Sequence, residues 1–360
     1  MRNMEFSCEG ALFSQSEILA TAEKLKPEIR NLANSISKGY EDDNASINLP
    51  DDKDMLSKVE QIINEKLQLK PEYLIVIGIG GSNLGTIAVQ EAVLGKLYNQ
   101  QNPAMKVLYA DTVDTELINA IVKIAESALA KGGSIILNVI SKWGTTTETI
   151  ANFTVLVDLL RRHRNEYAKY IVATCDKGSK LWRLALKEGF SFLEIPEKVG
   201  GRYSVFSPVG LFPLGLLGTD LGRLLEGARS MRDSCLNMDP EKNPAAIAAS
   251  IQYLHYKCGR NISDLFLFSN DLESTGKWFR QLVAESLGKE YNRRGEKVNC
   301  GITPTVSIGS TDLHSMAQLY LGGPYDKFTT FVRVEKSNSR IDVPNLKDYS
   351  KLVSGIQGKS

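Results

Sequence analysis

The feature that most constrains the fold is an alternation, after Pro71, of short apolar runs with helix-sized amphipathic segments. The runs are continuous, which is typical of parallel strands covered on both faces by helices. Five runs predict strands at 73–77, 107–110, 135–140, 170–174 and 190–195. The intervening segments predict helices at 84–97, 115–130, 146–162 and 179–188. The sequence therefore predicts an α/β fold with a doubly wound parallel sheet joined by right-handed crossovers.

A second, shorter series of the same kind follows a glycine- and proline-rich break and a helical region at 211–259. It predicts strands at 265–269, 305–308 and 328–334, and helices at 276–287 and 314–320. The first 70 residues are polar, with apolar positions at helical spacing. We therefore expect four parts: a helical N-terminal arm over 1–70, α/β domains over 71–198 and 199–335, and a polar tail over 336–360.

Composition restricts the partners and the compartment. Lysine and arginine total 43 against 42 aspartates and glutamates, so bulk charge gives no reason to expect binding to nucleic acid or to an anionic membrane. Five cysteines without CxxC spacing indicate reduced thiols and neither a disulfide framework nor a zinc site. The N-terminus lacks an apolar leader, and no run approaches the roughly 18 apolar residues of a membrane span. We expect a soluble, cytoplasmic protein.

A glycine-rich turn at residues 78–85 follows the first predicted strand and opens a helix, where backbone N–H groups favour an anion. A dinucleotide fingerprint would need glycine in place of Asn83, and a P-loop would need lysine after Gly85, so nucleotide binding is disfavoured. Packing of the helix on its strand explains one or two of the glycines. We favour an anion or sugar contact for the others, since ligands bind at this edge of parallel sheets.

A loop rich in hydroxyl groups follows the third predicted strand. Ser141 and Lys142 begin this loop, and Thr145 and Thr146 stand just before the next helix. Several donors, one ammonium and a helix N-terminus suit a phosphate monoester. The alternative is a capping box formed by Thr145 and Glu148, which would leave Ser141 and Lys142 unexplained. We favour phosphate binding.

A carboxylate and an amide lie four residues apart on the helix predicted at 276–287. Gln281 and Glu285 share a face with Trp278 and Leu282, so we expect Glu285 on an apolar stripe. Burial there would raise its pKa from about 4.3 toward the operating pH, as a general base requires. A solvated surface glutamate is the plainer alternative. Arg202, at the break between the two series, either stabilises negative charge or forms an interdomain ion pair.

Of the three histidines, His314 is the functional candidate. It lies in the first turn of a helix that follows a predicted strand, where an imidazole can move protons near neutral pH. A packed histidine without a catalytic role is the alternative. His163 is expected in solvent, and His255 in the core or at an interface.

Taken together, these segments resemble the glucose-6-phosphate isomerases (phosphoglucose isomerases), a family of paired sugar-isomerase (SIS) domains. The resemblance extends over 73–334 and depends on five motifs in order: 78–85, 141–149, 200–207, 281–289 and 314–319. It implies two doubly wound SIS-type domains and the interconversion of glucose 6-phosphate and fructose 6-phosphate through a cis-enediol. It further implies a homodimer, a place in glycolysis and gluconeogenesis, and no metal or organic cofactor.

The resemblance also implies roles for individual residues. Substrate-binding residues would come from the first two loops, with sugar contacts and then phosphate contacts at Gly81, Ser82, Ser141, Lys142, Thr145 and Thr146. Glu285 would carry the proton between C2 and C1, Arg202 would stabilise the intermediate, and Gln281 would help to place the substrate. His314 would assist ring opening, oriented by Glu148.

The chain departs from the family pattern in three places. Trp143 and Gly144 stand where many members have Thr-Phe, so we expect a backbone contact to replace one phosphate-binding hydroxyl. Ala284 and Leu287 stand near the proposed base where the family often has Met and Asn. A C-terminal helical segment, whose lysine helps to open the sugar ring, has no counterpart before Ser360, and we expect a truncated chain.

Two other functions stay open at this point. A non-catalytic SIS module that binds a sugar phosphate would need the phosphate loop but not Gln281, Glu285 or His314. An NAD-linked dehydrogenase is opposed by Asn83, which interrupts the dinucleotide fingerprint. The sequence favours the isomerase.

Overall fold

The computed structural model describes residues 4–337 and 339–359, and its strands form two parallel sheets and one hairpin. The helices are α1 (Gln15–Glu23), α2 (Lys26–Ser35), α3 (Lys53–Leu67), α4 (Leu84–Leu94), α5 (Thr115–Ala130), α6 (Thr147–His163), α7 (Lys180–Glu188), α8 (Pro208–Leu216), α9 (Leu221–Cys235), α10 (Pro244–Lys257), α11 (Glu273–Leu287), α12 (Thr311–Ser315) and α13 (Ala317–Gly322). The strands are β1 (Tyr73–Ile77), β2 (Lys106–Ala110), β3 (Ile135–Ile140), β4 (Ile171–Cys175), β5 (Ser191–Glu194), β6 (Ile262–Phe268), β7 (Lys289–Tyr291), β8 (Lys297–Cys300), β9 (Thr303–Ile308) and β10 (Lys327–Arg333).

The first sheet has five parallel strands in the order β2-β1-β3-β4-β5. Every residue of β3 and β4 is buried, which is why these strands are apolar without alternation. The chain leaves β1 toward one edge and returns to β3 on the other side, so the loops after β1 and β3 diverge. This reversal creates a crevice at the carboxyl edge, where open α/β sheets bind their ligands. The predicted strands and helices of this sheet are confirmed to within three residues.

Helices cover both faces of the first sheet. Leu74 and Val76 of β1 point into a core shared with α3, α4, α8 and α9. Ile75 and Ile77 point to the opposite face, into a core shared with α5, α6 and α7. Side chains that alternate between two apolar cores explain the double winding. Helices α8 and α9 thus pack on the first sheet although they follow residue 198, and the predicted domain division stays a prediction.

The second sheet has three parallel strands in the order β10-β6-β9, and α11 packs on one face of it. Gly276 of α11 allows this packing, because a β-carbon built there would lie 2.5 Å from Val306 Cγ1 and 2.8 Å from Leu267 Cδ1. The three predicted strands are confirmed. The helix predicted at 314–320 is instead the two short helices α12 and α13. The β7–β8 hairpin was not predicted, since its strands are short and nearly all of their residues are exposed.

The polar C-terminal segment adds little regular structure to these layers. Among its described residues, only the 3₁₀ turn Tyr349–Lys351 is regular. Within the described chain, no helix combines the length and the apolar character that crossing a membrane requires.

The contact of α11 with the second sheet makes a testable prediction about stability. We expect Gly276→Ala to lower the free energy of unfolding by about 1–3 kcal/mol, because the added methyl group overpacks the helix–sheet interface. Gly227→Ala in α9, where a β-carbon meets nothing within 4 Å, is the matched control and is expected to stabilise by about 0.5–1 kcal/mol. Urea denaturation followed by circular dichroism measures both changes. Equal effects of the two substitutions would contradict the packing described.

Candidate active site

The candidate site is formed where the turn after β1 meets the segment after β5. A β-carbon built on Gly81 would lie 2.3 Å from the carbonyl carbon of Gly201 and 2.5 Å from the backbone nitrogen of Arg202. The Ser204 hydroxyl donates to the Gly81 carbonyl at 3.3 Å. Only glycine allows this approach, which places the Arg202 backbone directly against the glycine-rich turn.

The side chain of Asn83 forms a hydrogen bond inside the glycine-rich turn. This side chain is 1% exposed, and its Nδ2 donates to the carbonyl of Gly78 at 2.8 Å. The residue that interrupts the dinucleotide fingerprint therefore shapes the turn. Gly85 serves packing, since a β-carbon there would lie 2.9 Å from Val205 Cβ. Gly80 has φ +56°, in the left-handed region that favours glycine.

Helix α11 brings the predicted carboxylate to the same place. Glu285 accepts a hydrogen bond from Gln281 Nε2 at 2.9 Å through one carboxylate oxygen. Its other oxygen accepts from Arg202 Nη1 at 3.2 Å. Gln281 also reaches the glycine-rich turn, because a β-carbon built on Gly80 would lie 3.3 Å from its Nε2. Three residues predicted from two separate motifs are thus joined by hydrogen bonds.

The predicted burial of Glu285 is wrong. Its side chain is 51% exposed, and it lies in the last turn of α11 beside the exposed Leu287. The helix buries Ser274, Gly276 and Val283 instead, so the face that carries the carboxylate opens toward the crevice. The carboxylate is thus paired with the Arg202 guanidinium and is not enclosed by apolar side chains.

Three residues whose contacts with Arg202 were not predicted hold it in place. Its Nε donates to the Ser286 hydroxyl at 3.0 Å, and Ser286 is hydrogen-bonded to the Tyr203 hydroxyl at 2.6 Å. The guanidinium also lies over the Tyr203 ring, 4.6 Å from its centroid. Trp278 Nε1 donates to the Arg202 carbonyl at 3.0 Å. Ser286 and Tyr203 adjoin the predicted residues, but adjacency alone gave no signal of these contacts.

The hydroxyl-rich loop leads into helix α6 without a side-chain cap. Thr146 is the N-cap residue, and its side chain makes no capping hydrogen bond. It lies 3.2 Å from the hydroxyl of Ser141, which is 1% exposed. The capping box of Thr145 and Glu148 is therefore not formed. The N–H groups of the first turn of a helix lack intrahelical partners, so this loop presents both hydroxyls and amides to an anion.

Lys142 extends away from this loop to a neighbouring segment. Its Nζ donates to the carbonyls of Glu197 at 2.5 Å and Val199 at 3.2 Å, just before the Arg202 segment. Gly144 has φ +66° and packs on α7, since a β-carbon there would lie 2.5 Å from the nitrogen of Leu181. Trp143 is 68% exposed at the tip of the loop.

His314 is not joined to this cluster. It is exposed on α12, and no hydrogen bond among the described residues connects it to Glu285, Gln281 or Arg202. His255 is buried, as predicted: it stacks on Phe328 and accepts from Arg260 Nε at 2.7 Å. Burial, followed by the charge of Arg260, lowers the pKa of His255.

Known proteins with similar sequences point to one family. The family model for phosphoglucose isomerase matches residues 68–351. A glucose-6-phosphate isomerase of Carboxydothermus hydrogenoformans is 35% identical over 305 residues, which are 82% of this chain and 64% of the relative. A probable glucose-6-phosphate isomerase of Methanococcus maripaludis is 37% identical over 284 residues, which are 79% of this chain and 61% of the relative. The chain thus spans less than two thirds of the length of these two relatives.

Solved structures agree with the sequence matches. A hypothetical protein of Thermus thermophilus superimposes with a TM-score of 0.81 at 29% identity, covering 96% of this chain and 79% of that one. A glucose-6-phosphate isomerase of Chlamydia trachomatis has the same fold, with a TM-score of 0.69 at 22% identity, covering 81% and 55%. The family model and the curated relatives together show that this chain belongs to the phosphoglucose isomerase family.

Proposed function

We propose that the chain interconverts glucose 6-phosphate and fructose 6-phosphate by base-catalysed proton transfer, in the cytoplasm, as a step of glycolysis and gluconeogenesis. One observation carries the proposal: the Glu285 carboxylate is held between the Gln281 amide and the Arg202 guanidinium, beside the glycine-rich turn. The relatives named glucose-6-phosphate isomerase support the choice of substrate.

The substrate phosphate would bind at the loop after β3. The hydroxyls of Ser141, Thr145 and Thr146 and the first amides of α6 would provide donors. The Lys142 ammonium, which donates to the carbonyls of Glu197 and Val199, would turn toward the phosphate to add a positive charge. A phosphate held there would place the sugar across the switch-point crevice. The carbon chain of the sugar would then extend toward Gly81 and Ser82, which would contact it.

The chemical step would move one proton between neighbouring carbons. In the open-chain aldose, the Glu285 carboxylate removes the C2 proton, and the electrons of that bond form the C1–C2 double bond of a cis-enediolate while O1 takes the negative charge. Arg202, 3.2 Å from the carboxylate, is placed to stabilise that oxygen. The O2 proton passes to O1, which moves the negative charge to O2, and return of the carbon-bound proton from Glu285 to C1 then forms the C2 carbonyl of the ketose. A carboxylate that lies on one face of the planar intermediate can reach both C1 and C2, so a single group serves both carbons.

Ring opening is assigned to His314, which we place in the site of a second subunit of a homodimer. Its exposure on α12, away from Glu285, supports a role across an interface better than a role within one chain. Glu148 would orient the imidazole. No metal or organic cofactor is needed for the proposed proton transfer.

A second candidate function is a non-catalytic module that binds a sugar phosphate. The observation that favours it is the 51% exposure of the Glu285 side chain, because a general base gains from a shielded site. The two candidates differ in what removal of the Glu285 charge would do.

Replacement of the proposed base separates these two candidates. We expect Glu285→Gln to lower kcat for isomerisation by about 10³-fold or more, because the amide cannot accept the C2 proton. Binding of glucose 6-phosphate, measured by titration calorimetry, is expected to survive. Glu290→Gln, on the exposed strand β7, is the matched control and should keep normal turnover. Unchanged turnover in Glu285→Gln would remove this residue from the mechanism, and binding without turnover in the unaltered chain would favour the module.

The phosphate loop makes an independent prediction. We expect Thr146→Val to raise KM for the sugar phosphate by about tenfold or more, because a hydrogen bond to a charged group contributes about 1.5–3 kcal/mol. The melting temperature should fall only slightly, since the Thr146 side chain makes no capping hydrogen bond and, among the described residues, accepts only one hydrogen bond of 3.2 Å, from the Ser141 hydroxyl. Thr146→Ser keeps the hydroxyl and is expected to restore KM. A normal KM in Thr146→Val would show that the phosphate binds elsewhere.

A further inference from the structure

A cavity that the proposed mechanism does not use lies at the C-terminal end of α4. Its volume is about 160 Å³, and residues of α4, of the following turn and of strand β2 line it. The glycine-rich turn lies at the other end of this 11-residue helix, about 16 Å away at a rise of 1.5 Å per residue. The cavity is therefore separate from the candidate active site.

Two polar groups of the lining are buried without a hydrogen bond. They are Oε2 of Glu91, in the last turn of α4, and the hydroxyl of Tyr109, on β2. Neither atom has a hydrogen-bond partner among the described residues. Burial without a partner costs free energy, so both groups gain from a ligand that supplies hydrogen bonds. Because they line one cavity, a single ligand can reach both.

The other polar side chains of the lining are engaged within the protein. The Tyr98 hydroxyl donates to the carbonyl of Met105 at 2.9 Å. Nδ2 of Asn99 donates to a carbonyl of β2 at 2.7 Å, and Nε2 of Gln90 donates to the carbonyl of Gly95 at 3.3 Å. The cavity therefore has few donors left to offer a carboxylate.

The lysine of the lining does not neutralise the charge of Glu91. Lys96 is the cationic side chain among the described lining residues, and its ammonium forms an ion pair with Glu273 at the start of α11. Its backbone N–H donates to Oδ1 of Asp271 at 2.9 Å, which fixes the residue against the same segment. The carbonyl groups at the C-terminal end of α4 add partial negative charge. A cationic ligand is therefore favoured over a neutral or an anionic one.

The size and the aromatic rings of the cavity favour an organic cation. The rings of Tyr98 and Tyr109 provide apolar faces for an alkyl group and attract a cation. At about 30 Å³ for each water-sized group, a volume of about 160 Å³ holds roughly five non-hydrogen atoms. Within the described part of the chain, no cluster of three or more acidic, histidine or cysteine side chains is suited to a metal ion.

We infer that this cavity is a binding site for a small primary ammonium ion, whose N–H groups donate to the Glu91 carboxylate and to the Tyr109 hydroxyl oxygen. A primary ammonium has three N–H donors and one positive charge, so it can satisfy both buried groups at once. Its alkyl group would lie against the two tyrosine rings. The inference does not rest on the proposed isomerisation, so binding alone tests it.

Titration calorimetry of the unaltered 360-residue chain with propylammonium chloride, at constant ionic strength, tests for the site. We expect saturable binding with a Kd on the order of 1 mM, as suits a ligand of about four non-hydrogen atoms. 1-Propanol has the same size without the charge and should bind at least about tenfold more weakly. Equal affinities for the ion and the alcohol, displacement of the ion by equimolar potassium, or no saturable binding up to about 100 mM would overturn the inference.

Substitutions in the lining test the location. We expect Glu91→Gln to weaken propylammonium binding at least about tenfold, because the amide lacks the charge. Tyr109→Phe should weaken it about threefold or more, because one acceptor is lost. Without ligand, the melting temperature of Glu91→Gln should equal or exceed that of the unaltered chain, since a buried charge without a donor is removed. Glu126→Gln, exposed on α5, is the matched control and should keep the normal affinity. Unchanged affinity in Glu91→Gln would contradict the assignment.

Two further measurements keep the result interpretable. Nuclear Overhauser effects should join the propyl protons to the ring protons of Tyr109 in the saturated chain, and their absence would overturn the location even if a variant failed to fold. Lys96→Met removes the neighbouring ammonium and should change the affinity less than about threefold. Binding that appears only in Lys96→Met would show that the lysine of the chain itself occupies the carboxylate, which would also overturn the inference.

Discussion

The rest of the candidate site depends on the approach of two glycine backbones. With a β-carbon on Gly81 only 2.3 Å from the carbonyl carbon of Gly201, neither segment could lie where it does if the first carried a side chain. This approach brings Arg202 to the glycine-rich turn of the first sheet. Helix α11, which packs on the second sheet, then completes the cluster with Gln281 and Glu285. One steric constraint thus joins residues from both sheets.

Two cationic side chains, Arg202 and Lys142, make the main polar contacts between the segments that the backbone brings together. Arg202 is fixed at its guanidinium by Ser286 and at its carbonyl by Trp278, so its charge reaches Glu285 with a defined geometry. At the neighbouring loop, Lys142 connects the hydroxyl-rich segment to the carbonyls that precede the arginine. In the proposed function, Lys142 would belong to the region that binds phosphate and Arg202 to the region that stabilises an oxyanion. The proposed isomerisation depends on this division.

The local sequence pattern was sufficient to predict the two parallel sheets but not the contacts between segments that are distant in sequence. Continuous apolar runs predicted the strands of both sheets, because a buried parallel strand needs apolar residues on both faces. The β7–β8 hairpin escaped prediction because it is exposed and carries no such pattern. Glu285 was expected to be buried because it shares a helix face with apolar residues. Helical spacing shows which residues share a face but not which segments pack against it. The partners of Lys142 lie 55 and 57 residues away in sequence, beyond what spacing can indicate.

The central claim is that this site moves a carbon-bound proton and does not merely bind a sugar phosphate. The most direct test is incubation of the chain with glucose 6-phosphate in deuterium oxide, followed by NMR analysis of C2. We predict that solvent deuterium enters at C2, because a proton held on a carboxylate that is 51% exposed exchanges with water before it returns to carbon. Ketose formation without any solvent deuterium, or bound substrate with no exchange at C2, would contradict the account.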